Sequence, residues 1–124
     1  MPASGFTNQG TYQPDNLIAG EFPRVARKVT IGTGANLVAG AVLGKITASG
    51  KYILSASAAA DGSQTPDAIL GEDAAAASAD VQAVVYFSGE FNELALTFGV
   101  GHTASSTRAG LKDKSIYLTT NQGA

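Results

Sequence analysis

A chain of 124 residues that is 44% apolar is one domain by length and can bury a core of its own, roughly two thirds of the surface that its unfolded form would expose. Only 15% of its residues are charged, well below the usual quarter; this suits a β protein built of small residues, and equally a surface partly covered by a partner. A net charge of −2 excludes the electrostatic footprint of a nucleic-acid binder, and the lack of cysteine excludes disulfides, thiolate nucleophiles and sulfur-ligated metals.

In chain order, residues 1–23 read MPASGFTNQGTYQPDNLIAGEFP, with no Lys or Arg and with Phe6, Tyr12, Leu17, Ile18 and Phe22 isolated among Gly, Pro and polar residues. Such an arm does not fold alone. Ordering it costs about 1–2 kcal/mol per residue in backbone entropy, which contacts with its own domain or with a partner must offset. Phe6 and Tyr12, alone in polar surroundings, have the look of anchors for a partner's pocket, and a residue folding back on its own domain has the same look. The N-terminal residues lack a basic region followed by an apolar one, and nowhere do 18 apolar residues run together; a soluble chain with no signal peptide and no membrane partner is expected.

Residues 24–124 are expected to form one β-rich domain. Arg24, Arg27 and Lys28 cluster at its start and predict a solvated or interfacial edge, since a nucleic-acid patch would need more cations with aromatics between them. Val29 and Ile31 alternate within a strand over Lys28–Ile31, closed by Gly32 and Gly34, and Asn36–Gly40 is a turn. Val42–Ile46 and Tyr52–Leu54, joined by Thr47, Ala48, Ser49 and Gly50, predict a hairpin. A loop rich in turn-forming residues, Ala58–Asp67, precedes an apolar run at Ala68–Gly71. Glu72–Asp80, EDAAAASAD, favours helix by composition but is too short to hold one, so a loop or single turn is expected.

Val81–Ser88, β-branched and aromatic, is the strongest strand. Glu90–Phe98 carries apolar residues at both helical and strand spacing, and the expectation is strand continuation with a break near Asn92. Ala104–Lys112 predicts a short helix, with Thr103, Ser105 or Ser106 as N-cap and Arg108, Lys112 and Lys114 towards the C-terminal end of the dipole. Ile116–Leu118 make a last strand and the tail after it should fray. The fold class is therefore mainly β, a small domain with an extended N-terminal arm and one short C-terminal helix.

Little in the chain points to chemistry. His102 is the only histidine and no nucleophile elbow accompanies it, so a turn histidine bonded near a helix start is the expectation. Its approach, Gly99–Val100–Gly101, lacks the spacing and the Lys of a phosphate loop. Asp61, Asp67, Glu72 and Asp73 crowd one region and Glu90 and Glu93 another, without the alternation of a calcium loop; they are expected to cap turns. Zinc is excluded by one His and no Cys. Tyr86, Phe87, Phe91 and Phe98 are expected in the core. No catalytic, cofactor or metal residue is assigned.

Four stretches, PDNLIAG at 14–20, VLGKITASGKY at 42–52, DGSQTPDAIL at 61–70 and VYFSGEFNELAL at 85–96, stand in this order in a chain of this length. Together they resemble the head decoration proteins of tailed bacteriophages, the group that includes the lambda capsid-stabilising protein, over about Tyr12 to Leu118. The resemblance implies a β-clip domain, not an enzyme and without cofactor. It would bind as homotrimers to the outer surface of the expanded phage head, at three-fold and quasi-three-fold sites, and stabilise the head against internal DNA pressure. It would stay in the host cytoplasm before assembly. The partner implied is the major capsid protein, with no direct nucleic acid, and the arm would become ordered on the shell by backbone pairing with that protein. Phe6, Tyr12, Pro14, Leu17 and Ile18 are then the expected capsid-binding residues. The alternatives are a small trimeric β-fold enzyme such as a nucleotide hydrolase, against which stand the missing phosphate loop and the lone His, and a surface adhesion module, which the absence of Trp disfavours.

Overall fold

The computed structural model describes residues 23–119. Along them run β1 (Val25–Ile31), β2 (Asn36–Leu37), β3 (Val42–Lys45), β4 (Tyr52–Leu54), β5 (Pro66–Leu70), β6 (Ala74–Ala75), β7 (Val81–Asn92), a 3-10 turn (Glu93–Ala95), α1 (Ala104–Lys112) and β8 (Ile116–Thr119). The chain is mainly β, with one α-helix near its C-terminal end, as its periodicity predicts.

The hairpin of β3 and β4 pairs Leu43 with Leu54, Gly44 with Ile53 and Lys45 with Tyr52. Its turn closes through Ile46 N to Lys51 O and Gly50 N to Ile46 O, both 2.8 Å, with Gly50 at φ 76°, a conformation that only glycine adopts without strain. Pro66 opens β5, where a residue without an N–H costs the ladder least. The sheet runs β1-β4-β3-β5-β7-β8, and a further antiparallel pairing of β1 with β7 closes the first five strands into a ring. The twelve-residue β7 serves two partnerships. Val85 and Tyr86 lie between Arg27 and Ala26 on one side and Leu70 and Ile69 on the other, and Gly89–Asn92 then pair in parallel with β8.

Alternation along these strands builds two cores. Ile31, Leu43, Ala68, Leu70, Ala83 and Val85 point into the ring together with Tyr52, whereas their neighbours Val42, Ile69 and Tyr86 point outwards onto Phe91, Leu111, Ile116 and Leu118. Both faces are covered, so Val42–Gly44 and Ala68–Leu70 are buried without a break. The inner core uses Ala41, Ala68, Ala74, Ala76 and Ala83, which accounts for part of the small-residue composition as packing in a narrow ring. The helix lays Thr107 and Leu111 on the outer core. Thr103 is its N-cap and forms a reciprocal capping box with Ser106, and Lys112 sits in the last turn.

Four expectations are corrected. The first strand begins at Val25, ahead of Lys28, because pairing with β7 extends across its exposed half. Asn36–Leu37, expected as turn, and Ala74–Ala75, expected as loop or single turn, pair with each other as a two-residue ladder. The strand expected to resume after Asn92 is a 3-10 turn, since the Asn92 side chain accepts from Leu94 N and bends the chain; only Thr97 rejoins, in an isolated bridge with Ala41. The fraying expected of the C-terminal tail concerns residues outside those described.

Candidate functional site

His102 and most of the clustered acids hold the structure together. His102 Nε2 lies 2.9 Å from the carbonyl oxygen of Gln64; a carbonyl only accepts, so this ring nitrogen donates and ties the loop before α1 to the loop before β5. Asp61 Oδ1 accepts from Ser63 N and Ser63 Oγ at 3.0 and 2.5 Å, bonds that hold its carboxyl below the usual range. Glu72 Oε2 accepts from Val84 N at 2.8 Å, and Asp73 Oδ1 from Ala39 N at 2.9 Å. Asp67 is 3.2 Å from Lys114 Nζ and accepts from Tyr52 OH at 3.5 Å; burial first, then the Asp67 charge, push that phenol up. Glu93 pairs with Arg108 across the 3-10 turn and the helix. Among the described residues no three such side chains converge as a metal site would require, and no helix is long and apolar enough to cross a membrane.

A second cluster, which sequence reasoning did not pick out, clasps the ends of three strands. Asp80, just before β7, receives Thr33 N at 2.8 Å and Thr33 Oγ1 at 2.7 Å after β1, and pairs with Lys51 Nζ at 2.6 Å before β4. The Lys51 bond, followed by those from Thr33, lowers its pKa to about 2. The clasp is exposed and lies where β1, β4 and β7 meet.

What remains is the other end of β1. Residues 23–28 are exposed, Val25 by 50%. The register sets Val25 opposite Ser88, Arg27 opposite Val85 and Lys28 opposite Val84, so none of the three faces a charged residue of β7, whose carboxylate, Glu90, lies beyond Ser88. The ion pairs of Lys51, Arg108 and Lys114 lie elsewhere, and Arg24, Arg27 and Lys28 have none among the described residues. The stem of Arg24 crosses Gly89, where even a Cβ would come within 2.8 Å of its Cγ. An open depression of about 370 Å³ is lined there by Val25, Arg27 and Phe87.

Among the described residues, the backbone of this half-strand is open on one side. Val84 uses its N–H on Glu72 and its carbonyl on Gly71 N, both directed away from β1. Lys28, paired opposite Val84, is therefore a non-hydrogen-bonded position whose N–H and C=O face the outer edge. β4 meets that edge at Ile31 alone. The cluster of cations was legible in the sequence; the depression and the open edge were not, since both follow from pairing between segments about sixty residues apart. Phe87, expected in the core, packs partly against it and partly lines this depression. Phe6, Tyr12, Pro14, Leu17 and Ile18 lie outside the described residues.

No curated protein matches the chain. The family model described as bacteriophage lambda head decoration protein D matches residues 6–116, which takes in the ring, the helix, the cationic half-strand and most of the segment before it. The chain belongs to the bacteriophage lambda head decoration protein D family.

Proposed function

We propose that this chain carries out the capsid decoration role of its family as a homotrimer, seated at three-fold and quasi-three-fold positions on the outside of the expanded head and holding it against internal DNA pressure. The observation that carries this is the family match, which spans both the β domain and residues 6–22 ahead of it. Membership in a structural family of the phage head also points away from catalysis. In this account residues 1–23 are the arm that engages the major capsid protein, with Phe6, Tyr12, Pro14, Leu17 and Ile18 as its contacts, and residues 24–124 are the domain that displays it. The protein waits in the host cytoplasm until the head expands.

Energetics favour a trimer. Each backbone hydrogen bond made by an arm contributes about 0.5–1.5 kcal/mol net, little against the cost of ordering the residues that make it. Three arms borne by one trimer raise the effective concentration of the second and third contacts, so avidity exceeds single-arm affinity by about 10²–10⁴ and neighbouring capsid subunits become bridged. Deletion of residues 1–20 tests the arm directly. The truncated protein should keep its strand-rich circular dichroism and its oligomeric state yet fail to sediment with expanded heads. Undiminished co-sedimentation would remove the arm from the mechanism.

A further inference from the structure

We infer that the exposed half of β1, Arg24 to Lys28 with its open backbone edge, is a second contact to the shell, receiving an extended segment of capsid protein in which carboxylates flank an apolar residue. The inference rests on the decoration reading and adds to the arm a surface built by the folded domain. Its first support is charge. Three cations stand within five residues on a chain of net charge −2, Arg27 and Lys28 opposite neutral Val85 and Val84 and all three without an ion pair among the described residues, whereas Lys51, Arg108 and Lys114 are committed to carboxylates. Glu72 approaches β7 from its far edge and is occupied by Val84 N, and Glu90, on β7 beyond Ser88, is itself engaged. A local positive patch on an acidic protein selects an acidic partner segment.

Shape is the second support. Successive residues of a strand face opposite ways, so Arg27 looks into the depression it shares with Val25 and Phe87 while Lys28 looks out on the other face. An apolar side chain of the incoming segment fits against Val25 and Phe87, and a neighbouring carboxylate then meets the Arg27 guanidinium, whose planar fork suits it. The third support is the backbone. The outward N–H and C=O of Lys28 offer a strand-pairing edge, which fixes the register of the visitor as well as its charge. Nucleic acid is a poorer occupant, because three cations spread over two faces track no phosphate backbone and the Phe87 ring beside them packs partly against the inner core instead of standing free for base stacking.

The experiment measures binding of the full-length protein, and of its R24Q/R27Q/K28Q variant, to expanded heads stripped of decoration protein, at low and high salt, with duplex DNA as a parallel probe. The substitutions lie on an exposed strand end, and matched circular dichroism and denaturation midpoints establish that the variant is folded. Expected are a loss of at least about tenfold at low ionic strength and a weaker salt dependence than wild type. Slowed hydrogen exchange at the Lys28 amide on head binding is also expected. If wild type binds and the variant binds equally with the same salt dependence, or if the Lys28 amide gains no protection, the second contact is wrong while the decoration reading stands. If wild type itself fails to bind expanded heads, the decoration reading falls and this inference with it. Duplex DNA binding that the substitutions abolish would overturn the assignment in favour of a nucleic-acid surface.

Discussion

Gly44 and Gly110 invite the same chemical change with opposite expected results. A Cβ on Gly44 would stand 2.0 Å from the carbonyl oxygen of Ser63, 2.6 Å from its carbonyl carbon and 2.7 Å from its Cα, where real Cβ contacts stay beyond 3.0 Å. Ser63 must therefore retreat by at least 1.0 Å (3.0 − 2.0). It has nowhere to go, being fully buried and held through both its N–H and its hydroxyl to Asp61. Overpacking of this kind costs about 1–3 kcal/mol, and the backbone nature of the obstacle puts Gly44→Ala at the upper end. Gly110, inside α1, has nothing within 4 Å of its would-be Cβ. Gly110→Ala should stabilise by about 0.5–1 kcal/mol through helix propensity and a less flexible unfolded chain. At roughly 3–5 °C per kcal/mol for a chain of this size, the two variants should melt on opposite sides of wild type, separated by on the order of 10 °C. Thermal denaturation followed by circular dichroism, at one fixed protein concentration so that any self-association contributes equally, reads the difference. A Gly44→Ala protein that melts with wild type would refute the packing of the β5 loop onto β3.

Other consequences follow from the same packing and electrostatics. Phe91, fully buried and 5.6 Å centroid to centroid from Tyr86, anchors the outer core; Phe91→Ala should cost about 3–5 kcal/mol in urea denaturation, and a cost below 1 kcal/mol would mean that α1 and β8 do not depend on it. Thr103→Ala removes the cap of α1 and half of its capping box, for an expected loss of about 0.5–2 kcal/mol, and Thr103→Ser should restore most of it. Asp80, with a folded pKa of about 2 against an ordinary 3.8, contributes stability that is present in full above pH 3.8 and is lost as pH falls through about 2. The denaturation midpoint of wild type should fall between those values, less steeply in Asp80→Asn and in high salt; equal slopes would show that the clasp on Lys51 and Thr33 is not made in solution.

Much of this architecture is legible before any coordinates. The helix Ala104–Lys112, its Thr103 cap, the β3–β4 hairpin and the last strand follow from local signals: capping residues, a Gly-bearing turn and period-two apolar runs. Non-local pairing is what those signals omit. The ladder of Asn36–Leu37 with Ala74–Ala75 is two residues long, with no period to read, and exists because the ring brings two loops together. At Glu93–Ala95 the apolar spacing fitted strand and helix alike, and a single side-chain bond from Asn92 decided between them. Of the proposed second contact, the cations Arg24, Arg27 and Lys28 stand out in the sequence as a cluster. That Arg27 and Lys28 face neutral Val85 and Val84 depends on the register with β7, as does the open edge at Lys28.

The central claim, that this chain decorates the phage head as a trimer engaging the shell through its arm, is tested most directly by electron cryomicroscopy of expanded heads incubated with the full-length protein. The account predicts trimeric protrusions at the three-fold and quasi-three-fold positions, with density running from the start of β1 onto the capsid protein. Bare three-fold positions, or protrusions confined to other sites, would contradict it.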